Sequence, residues 1–254
     1  MPDLLNRQRN PLGRTVRLLG WMADHDSGDF GVRELAAAVG MAPSTVHRSL
    51  GALEEESLVE SNAQSGRYRL SLGFYRLALK GVRRAPLISV ALPFLQEAAR
   101  AGEETAQLAV YGEVELAVMF VAEVAPLRQL QVRARLHEWL PLTSSAAGLA
   151  VLSQLDSTSV VTAFAKATGT HSGSDLAATL DQVRRRGFAS VTGLPEPGCV
   201  ELGAAFVGSM GQVQGALGLS LPQLRFNAKL EAALGSLLVA QAGKLSATLQ
   251  TSDA

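Results

Sequence analysis

Four polar residues close together in the first third of the chain could read the edges of DNA bases. Ser44, Thr45, His47 and Arg48 carry small or planar hydrogen-bonding groups, and five helical residues span only about one and a half turns. Such donors and acceptors can reach base edges in a major groove, where an arginine can bond two guanine acceptors at once. The cluster predicts a base-reading surface. An ordinary solvated helix face is the alternative that these residues alone leave open.

The residues around this cluster predict a recognition helix with a buried back. In a helix that begins at Pro43, the side chains of Val46, Leu50 and Leu53 share one face and the four polar residues point away from it. Proline suits the first turn, because the N–H that it lacks would have no partner there. Residues 31–40 repeat apolar side chains at helical spacing and lead into a short glycine-containing turn. Two helices joined in this way indicate a helix-turn-helix.

A short hairpin after the recognition helix adds two arginines. Strand-like residues 58–60 and 67–70 flank a polar loop that ends in glycine, a pattern that predicts a hairpin. Helix, turn, helix and hairpin in this order are typical of a winged helix-turn-helix. We expect Arg67 and Arg69 to lie at the tip of the wing, where they would contact DNA phosphates.

A family resemblance rests on two runs of the sequence, MAPSTVHRSLGALEEESLVESNAQSGRYRLSLGFYRLAL and PLTSSAAGLAVL. The first strongly resembles the DNA-binding domain of the isocitrate lyase regulator (IclR) family of bacterial transcription factors. The second is similar to that family's effector-domain loop, P-L-H-x-T-A-x-G-K-A-L-L, with Thr143 in place of the usual histidine and Leu149 in place of the usual lysine. The resemblance covers nearly the whole chain. It implies an α+β protein with an N-terminal winged helix-turn-helix and a GAF-like α/β effector-binding domain.

The composition limits what else the chain could be. Its 254 residues, 47% of them hydrophobic, can supply a core to each of two ordinary domains. No apolar run reaches the length of a membrane span, and residues 1–7 lack the continuous apolar stretch of a secretory signal. A single cysteine fits a reducing compartment. We therefore expect a cytoplasmic protein without a membrane partner.

The charge distribution predicts that DNA binding depends on oligomerisation. The net charge is zero, and residues 1–71 carry eight arginines against nine acidic residues. Four further cations follow in the next helical segment: Arg76, Lys80, Arg83 and Arg84. Because affinity follows the number of phosphates neutralised, one copy of this domain would bind DNA weakly. We expect a homodimer or a dimer of dimers on a double-stranded operator.

The first helix, predicted over residues 10–26, has two apolar faces. One face is assigned to the winged-helix core and comprises Leu12, Val16, Leu19 and Ala23. The other comprises Leu18, Trp21 and Met22. One small domain cannot easily bury both faces, so the second is a candidate dimer contact. The alternative is that Trp21 merely covers the wing.

The pattern divides the chain into two domains joined by a helix. We assign residues 1–72 to the winged helix-turn-helix, 73–86 to a linker helix and 87–254 to the second domain, because a residue before proline is pushed out of helical geometry at Ala85-Pro86. Strand-like segments occupy residues 105–111, 114–122, 128–134, 188–192, 199–207 and 213–221, and helical segments occupy 144–155, 157–167, 174–186 and 223–249. The first two strands should be joined across Gly112-Glu113 as a tight hairpin. Antiparallel strands with the helices collected on one side fit the GAF-like fold.

A ligand pocket is predicted on the sheet face that carries small and polar residues. The expected lining is Val132, Ala146, Ala147, Gly148, Cys199, Glu201, Gly218 and Ser220. Exposed N–H groups at the helix start over residues 146–148 would favour an anionic group, with Glu201 at the far end of the ligand. Val191 stands where many relatives carry an acidic residue, so the pocket is less polar than theirs. We expect a small, largely apolar carboxylate; plain solvent exposure of this face is the alternative.

Two other functions compete with a ligand-responsive transcription factor. An enzyme would use Cys199 and Glu201 with His137 or His171, but no catalytic or phosphate-binding motif supports it, and Cys199 is better explained as a small pocket-lining residue. The stronger alternative is a DNA-binding regulator whose C-terminal domain only oligomerises and binds no ligand. The replacements at Thr143, Leu149 and Val191 keep that alternative open. We expect no cofactor, no metal and no catalytic residue.

Overall fold

The computed structural model describes residues 10–25, 28–83, 87–166 and 173–252. The chain divides into two compact units, residues 1–85 and 86–254. The predictions for residues 1–7, Arg84, Ala85-Pro86 and His171 lie outside the described residues.

The first unit is a winged helix-turn-helix. Its elements are α1 (Pro11–Ala23), α2 (Val32–Val39), α3 (Pro43–Glu55), β1 (Val59–Ser61), β2 (Tyr68–Leu70) and α4 (Leu72–Arg83). The side chain of Asn10 caps α1 by accepting from the Leu12 N–H at 3.0 Å. Gly40 ends α2 in a left-handed conformation with φ 66°, which glycine adopts without steric cost. These local signals place the turn between α2 and α3 where the sequence predicted it.

The core of this unit confirms the predicted recognition helix and corrects the first helix. Val46, Leu50 and Leu53 are buried on the back of α3. On α1 the assignment of the two faces was wrong, since Leu18 and Met22 are buried whereas Leu12 and Val16 are 69% and 58% exposed. Both faces of α1 are apolar, so helical periodicity could not choose between them.

Trp21 lies on the same face of α1 as the buried Leu18 and Met22. Its ring stacks on His25 and meets Phe30 edge-on, with ring centroids 3.9 and 5.3 Å apart. Phe30 in turn pairs with Tyr68 of β2 through its backbone. Trp21 therefore supports the base of the wing, as the alternative interpretation held, and the candidate dimer contact on this face was wrong.

The second unit is a six-stranded antiparallel sheet with helices. Its elements are α5 (Leu87–Gly102), β3 (Thr105–Gly112), β4 (Ala117–Val124), β5 (Trp139–Pro141), α6 (Ala146–Leu152), α7 (Ser157–Lys166), α8 (Gly173–Arg186), β6 (Ala189–Thr192), β7 (Cys199–Val207), β8 (Val213–Pro222), a 3-10 turn (Gln223–Arg225) and α9 (Ala228–Ser252). The strand order is β5-β4-β3-β8-β7-β6, and every neighbouring pair is antiparallel.

Helices cover both faces of this sheet, so their predicted collection on one side was wrong. Leu202, Leu217 and Leu219 join the core formed with α5 and α9. The small residues on the opposite face, Ala205 and Ala216 among them, join a second core formed with α6, α7 and α8. Small side chains let helices approach the sheet closely, a use that the sequence could not distinguish from an open pocket.

Two further predictions in this unit were wrong. Residues 128–134 do not form a strand; they belong to an irregular segment between β4 and the short edge strand β5. The alternation of side chains there suggested a strand, but a strand also needs a pairing partner. The β3–β4 turn is longer than Gly112-Glu113, because Gly112 pairs with Ala117 and Leu116 adopts a φ of 51°.

Helix α9 is rich in apolar residues, several of which lie in the core of the second unit. By length and composition it could cross a membrane. However, Leu234, Leu238, Ala242 and Leu245 are buried in the core that α9 shares with α5 and the sheet. Packing against the sheet and α5 accounts for the apolar residues on this one face of the helix.

Candidate nucleic-acid interface and ligand cavity

The polar face of α3 is presented to solvent. Ser44, His47 and Arg48 are exposed and Thr45 is half-buried, whereas the opposite face of the helix is buried. Among the described residues, no side chain caps the start of α3, and its first turn carries no acidic residue. The N-terminal end of the helix therefore keeps its partial positive charge. This geometry suits insertion of the helix into a groove lined by base edges and phosphates.

The predicted placement of both wing arginines at the wing tip was wrong. Arg69 lies within β2, directly opposite Glu60 of β1, and its Nε donates to the Glu60 carboxylate at 2.6 Å. This pairing raises the pKa of the Arg69 guanidinium. Both side chains are about half exposed. Solvent screens an exposed ion pair of this kind and leaves it weak, so a phosphate could compete for the arginine.

Arg67 follows the wing turn, but its guanidinium points back to the start of α2. Nη2 donates to the Asp29 carbonyl at 2.7 Å and to the Glu34 carboxylate at 2.8 Å, and Nε donates to the same carbonyl at 3.1 Å. The Glu34 carboxylate also accepts from the Gly31 N–H at 3.2 Å. Arg67 therefore ties the wing to α2, a contact that sequence spacing could not reveal.

A small cavity in the second unit collects several of the predicted ligand-binding residues. Its lining is Gln107, Phe120, Val132, Arg133, Ala134, Arg135, Leu194, Pro195, Glu196, Cys199, Glu201 and Ser220. Four of the eight predicted residues are among them: Val132, Cys199, Glu201 and Ser220. A fifth, Gly218, lies opposite Gln107 in the sheet. The free volume is about 10 Å³, roughly the space of one water molecule.

The start of α6 does not offer free donors to a ligand, and that part of the prediction was wrong. The Ala147 N–H donates to Oε1 of Glu201 at 3.0 Å. The Gly148 N–H donates to the Ser145 hydroxyl at 3.0 Å. Ala146, Ala147 and Gly148 are all buried. Glu201 thus lies at the helix start, where the ligand carboxylate was expected, and not at the far end of the ligand.

Close backbone packing explains why α6 begins against β7. A Cβ atom added at Gly203 would lie 2.6 Å from the Ala147 nitrogen, and one added at Gly148 would lie 2.4 Å from the Leu142 carbonyl oxygen. Both distances are far below van der Waals contact, so these two glycines allow the approach. The approach brings the first turn of α6 to the neighbouring Glu201.

Glu201 is the most unusual polar group in the cavity. Its side chain is fully buried, and burial raises its pKa to about 7 against the opposing effect of the Ala147 and Ala146 N–H groups. Its Oε2 has no hydrogen-bond partner among the described residues. A buried carboxyl oxygen without a partner is costly. With a pKa near neutrality, this oxygen can accept a hydrogen bond when ionised or donate one when protonated.

Gln107 is the main residue that the sequence analysis missed. It is 2% exposed, and its Oε1 accepts from the Ser220 hydroxyl at 3.2 Å. A glutamine inside the otherwise apolar run of β3 was the available signal, because a buried amide needs polar partners. Gln107 and Ser220 add a second polar group to the cavity.

Cys199 lines the cavity without the properties of a nucleophile. Burial, with a smaller contribution from the Glu196 carboxylate, raises the pKa of its thiol. A raised pKa lowers the fraction of the reactive thiolate. Within the part of the chain that the structure describes, no group of three or more His, Cys, Asp and Glu side chains is arranged to hold a metal ion.

Two irregular segments cover the cavity and are joined by an ion pair. Residues 132–135 and 194–196 contribute to its lining. Arg135 of the first segment pairs with Glu196 of the second. The first segment is also tied to β4, because Glu123 pairs with Arg133 at 2.7 Å and accepts from the Ala134 N–H at 2.9 Å. A molecule larger than water can occupy the cavity only if these segments separate.

Comparison with known proteins identifies both units. The description "Bacterial transcriptional regulator IclR C-terminal" matches residues 79–247, and "IclR helix-turn-helix domain" matches residues 11–63. The chain belongs to the IclR family. The family resemblance read from the sequence is thereby confirmed.

Curated relatives and solved structures agree with this assignment. The HTH-type transcriptional regulator KdgR of Escherichia coli is 25% identical over 98% of this chain and 97% of its own length. The acetate operon repressor of Salmonella typhimurium is 27% identical over 72% of this chain and 69% of its own length. This IclR-family chain is a DNA-binding transcriptional regulator and not an enzyme.

The solved IclR structures establish the fold. An IclR transcriptional regulator from Alicyclobacillus acidocaldarius has a TM-score of 0.80 at 20% identity, covering 93% of this chain and 97% of its own. An IclR homologue from Microbacterium hydrocarbonoxydans, complexed with 4-hydroxybenzoate, has a TM-score of 0.77 at 22% identity, covering 95% of this chain and 100% of its own. The predicted winged helix-turn-helix followed by a mixed α/β domain is confirmed.

Proposed function

We propose that this IclR-family regulator changes its affinity for a double-stranded operator when a small metabolite occupies the Glu201 cavity. The observation that carries the proposal is the fully buried Glu201, which lines the cavity and whose Oε2 has no hydrogen-bond partner among the described residues. Ser44, Thr45, His47 and Arg48 read bases, and the C-terminal domain senses the ligand. The protein acts in the cytoplasm, where its operator lies.

The cavity lining supports a ligand with an apolar body and a hydrogen-bond donor. Phe120, Val132 and Leu194 supply apolar contacts. The ligand donor faces Glu201 Oε2, and Gln107 with Ser220 offers further hydrogen bonds. A ligand carboxylate, where there is one, lies toward the arginines of the covering segment and away from α6. A hydroxylated aromatic or aliphatic acid fits this description, and 4-hydroxybenzoate, found in the Microbacterium homologue, is the first probe.

Filling the cavity should abolish the response to ligand. In Val132→Trp the added ring should occupy the ligand space from the covering segment, without disturbing the close packing at Ala147. Leu130→Trp is the matched control, because Leu130 lies in the same segment, outside the cavity lining, and is exposed. The melting temperature is measured with a panel of hydroxybenzoates and aliphatic hydroxy acids, each at about 100 times its dissociation constant, where bound ligand stabilises by about 2.7 kcal/mol.

The control variant should respond as the wild type does, and Val132→Trp should not. A full response in both variants would place the ligand elsewhere. If no panel member stabilises the wild type or changes its DNA affinity, the alternative holds: the C-terminal domain only oligomerises. The small free volume of the cavity is the observation that favours this alternative.

The two wing arginines are proposed to act differently. Arg69→Ala should reduce the slope of log affinity against log salt by up to about one unit, because one phosphate contact is lost. Arg67→Ala should change the slope less. It should instead lower the stability of the first unit by about 1 kcal/mol, since three hydrogen bonds to α2 and the segment before it disappear. Salt titrations and thermal melting measure the two effects, and equal slopes for both variants would refute the distinction.

A homodimer, or a dimer of such dimers, is proposed to supply enough phosphate contacts for binding. Apolar side chains exposed on the first unit support this assembly. Leu12 and Val16 are exposed on α1, and Leu72, Tyr75 and Leu79 are exposed on α4. The α4 residues recur at a spacing that places them on one helical face. Contacts between copies through these faces would remove them from water.

A further inference from the structure

A recess on the first unit lies between α1 and the start of α3. Its volume is about 390 Å³, and its lining combines two cations of α1 with the helix-turn-helix turn: Arg14, Arg17, Val39, Gly40, Met41, Ala42 and Thr45. Arg14 and Arg17 are three residues apart, so they project from the same side of α1. Neither arginine was among the predicted DNA contacts.

The chemistry of this recess suits an anion. None of the described residues that line it is acidic. The first turn of α3, which begins at its edge, also carries no acidic residue. The two guanidinium groups and the partial positive charge of the helix start therefore both attract an anion to the recess. Planar guanidinium groups recognise phosphate oxygens in particular, because their N–H groups form a fork that matches them.

The recess is held in a fixed position relative to the base-reading face. Thr45 belongs to both. The hydroxyl of Thr15, between the two arginines on α1, lies 3.4 Å from the hydroxyl of Ser49 on α3. Leu18, one residue beyond Arg17, is fully buried in the shared core. A DNA strand whose bases face Thr45 would therefore bring its backbone to the recess.

We propose that Arg14 and Arg17 clamp one phosphodiester group of the operator backbone in this recess, next to the bases that α3 contacts. The clamp rests on the proposed function, because it needs α3 to lie in the major groove. It carries no sequence information itself; it fixes the depth and direction of the recognition helix.

The test uses the full chain and an operator selected by that chain from a random duplex pool. Arg17→Gln, and the double variant with Arg14→Gln, should bind the operator and random DNA with similar proportional losses. The slope of log affinity against log salt should fall by about 0.9 per protomer in the double variant, because one phosphate contact is lost, and by less in Arg17→Gln. Arg100→Gln is the matched control, because it makes the same change in net charge on the exposed surface of the second unit. Its slope should equal that of the wild type.

A second measurement locates the phosphate. Operators are prepared in which one phosphate at a time is replaced by a neutral methylphosphonate. The proposal predicts a position where this replacement weakens the wild type and Arg100→Gln about tenfold but leaves the double variant unchanged. Arg17 is exposed, so Arg17→Gln should melt at the wild-type temperature.

The outcomes separate the clamp from the function on which it rests. An unchanged salt slope in both variants, with identical methylphosphonate profiles, would overturn the clamp while the operator-binding function stands. If the wild type selects no duplex at all, the proposed function itself fails, and the clamp fails with it.

Discussion

Glu201→Gln should stabilise the second unit at pH 8 and have a much smaller effect at pH 5. Burial raises the pKa of Glu201 to about 7 in the folded protein, whereas a glutamate in an unfolded chain titrates near 4.3. At pH values between these two pKa values, Glu201 is therefore protonated in the folded state and ionised in the unfolded state. Stability is highest below the unfolded pKa, falls as pH rises, and levels off above the folded pKa.

The raised pKa of Glu201 sets how strongly stability depends on pH. The folded and unfolded pKa values differ by about 2.7, which corresponds to about 4 kcal/mol in full, since one pKa unit is about 1.4 kcal/mol. Glutamine keeps the acceptor for the Ala147 N–H and carries no charge to bury. The advantage of Glu201→Gln over the wild type should grow by about 2–3 kcal/mol between pH 5 and pH 8, or roughly 5–10 °C in melting temperature.

Thermal unfolding followed by Trp139 fluorescence measures this difference. A Trp21→Phe background leaves Trp139 as the sole tryptophan, because the chain has two. Glu97→Gln is the control, because hydrogen bonding to Arg100 lowers the pKa of that exposed carboxyl and its replacement should bring no gain at high pH. A gain for Glu201→Gln that is the same at pH 5 and pH 8 would show that Glu201 titrates normally in the folded protein.

Arg48→Ala should have the largest effect on operator recognition. If Arg48 bonds a base at two atoms, its loss costs about 1–3 kcal/mol, or about 5–150-fold in affinity. The side chain is exposed on a helix whose back is buried, so the variant should fold normally. Binding is measured on the selected operator and on random duplex at the same salt concentration.

The contrast between the two DNAs decides the role of Arg48. The loss on random duplex should be much smaller than on the operator. Arg76→Ala on α4 is a control of equal charge change outside the recognition helix. Equal losses for Arg48→Ala on both DNAs would make Arg48 a phosphate contact and remove it from the base-reading set.

The recognition helix was predictable because its signals are local. Pro43 marks its start, and Val46, Leu50 and Leu53 define a single buried face, since the opposite face is polar. Local signals did not suffice for the first helix. Both of its faces are apolar, and the buried one is set by tertiary contacts, among them that of Trp21 with Phe30.

The sequence predicted where the cavity lies in the fold, but it did not predict which hydrogen-bonding groups in the cavity are free. Strand alternation correctly placed Cys199, Glu201 and Ser220 together, because every second residue of a strand points to the same side. The α6 N–H groups seemed available to a ligand because nothing in the sequence shows how closely α6 approaches β7. That approach depends on Gly203 and Gly148, which contact residues distant in the sequence or in the preceding loop. The position of Arg67 depends on tertiary contacts in the same way.

The most direct test of the account is the operator affinity with and without ligand. The ligand is the panel member that most raises the melting temperature of the wild type, and affinity is measured for the wild type, Val132→Trp and Leu130→Trp. An allosteric coupling of about 1–3 kcal/mol should change the operator affinity of the wild type and of Leu130→Trp about 5–150-fold. Val132→Trp should bind the operator with one affinity in both conditions. A ligand that stabilises the wild type but leaves its operator affinity unchanged would contradict the account.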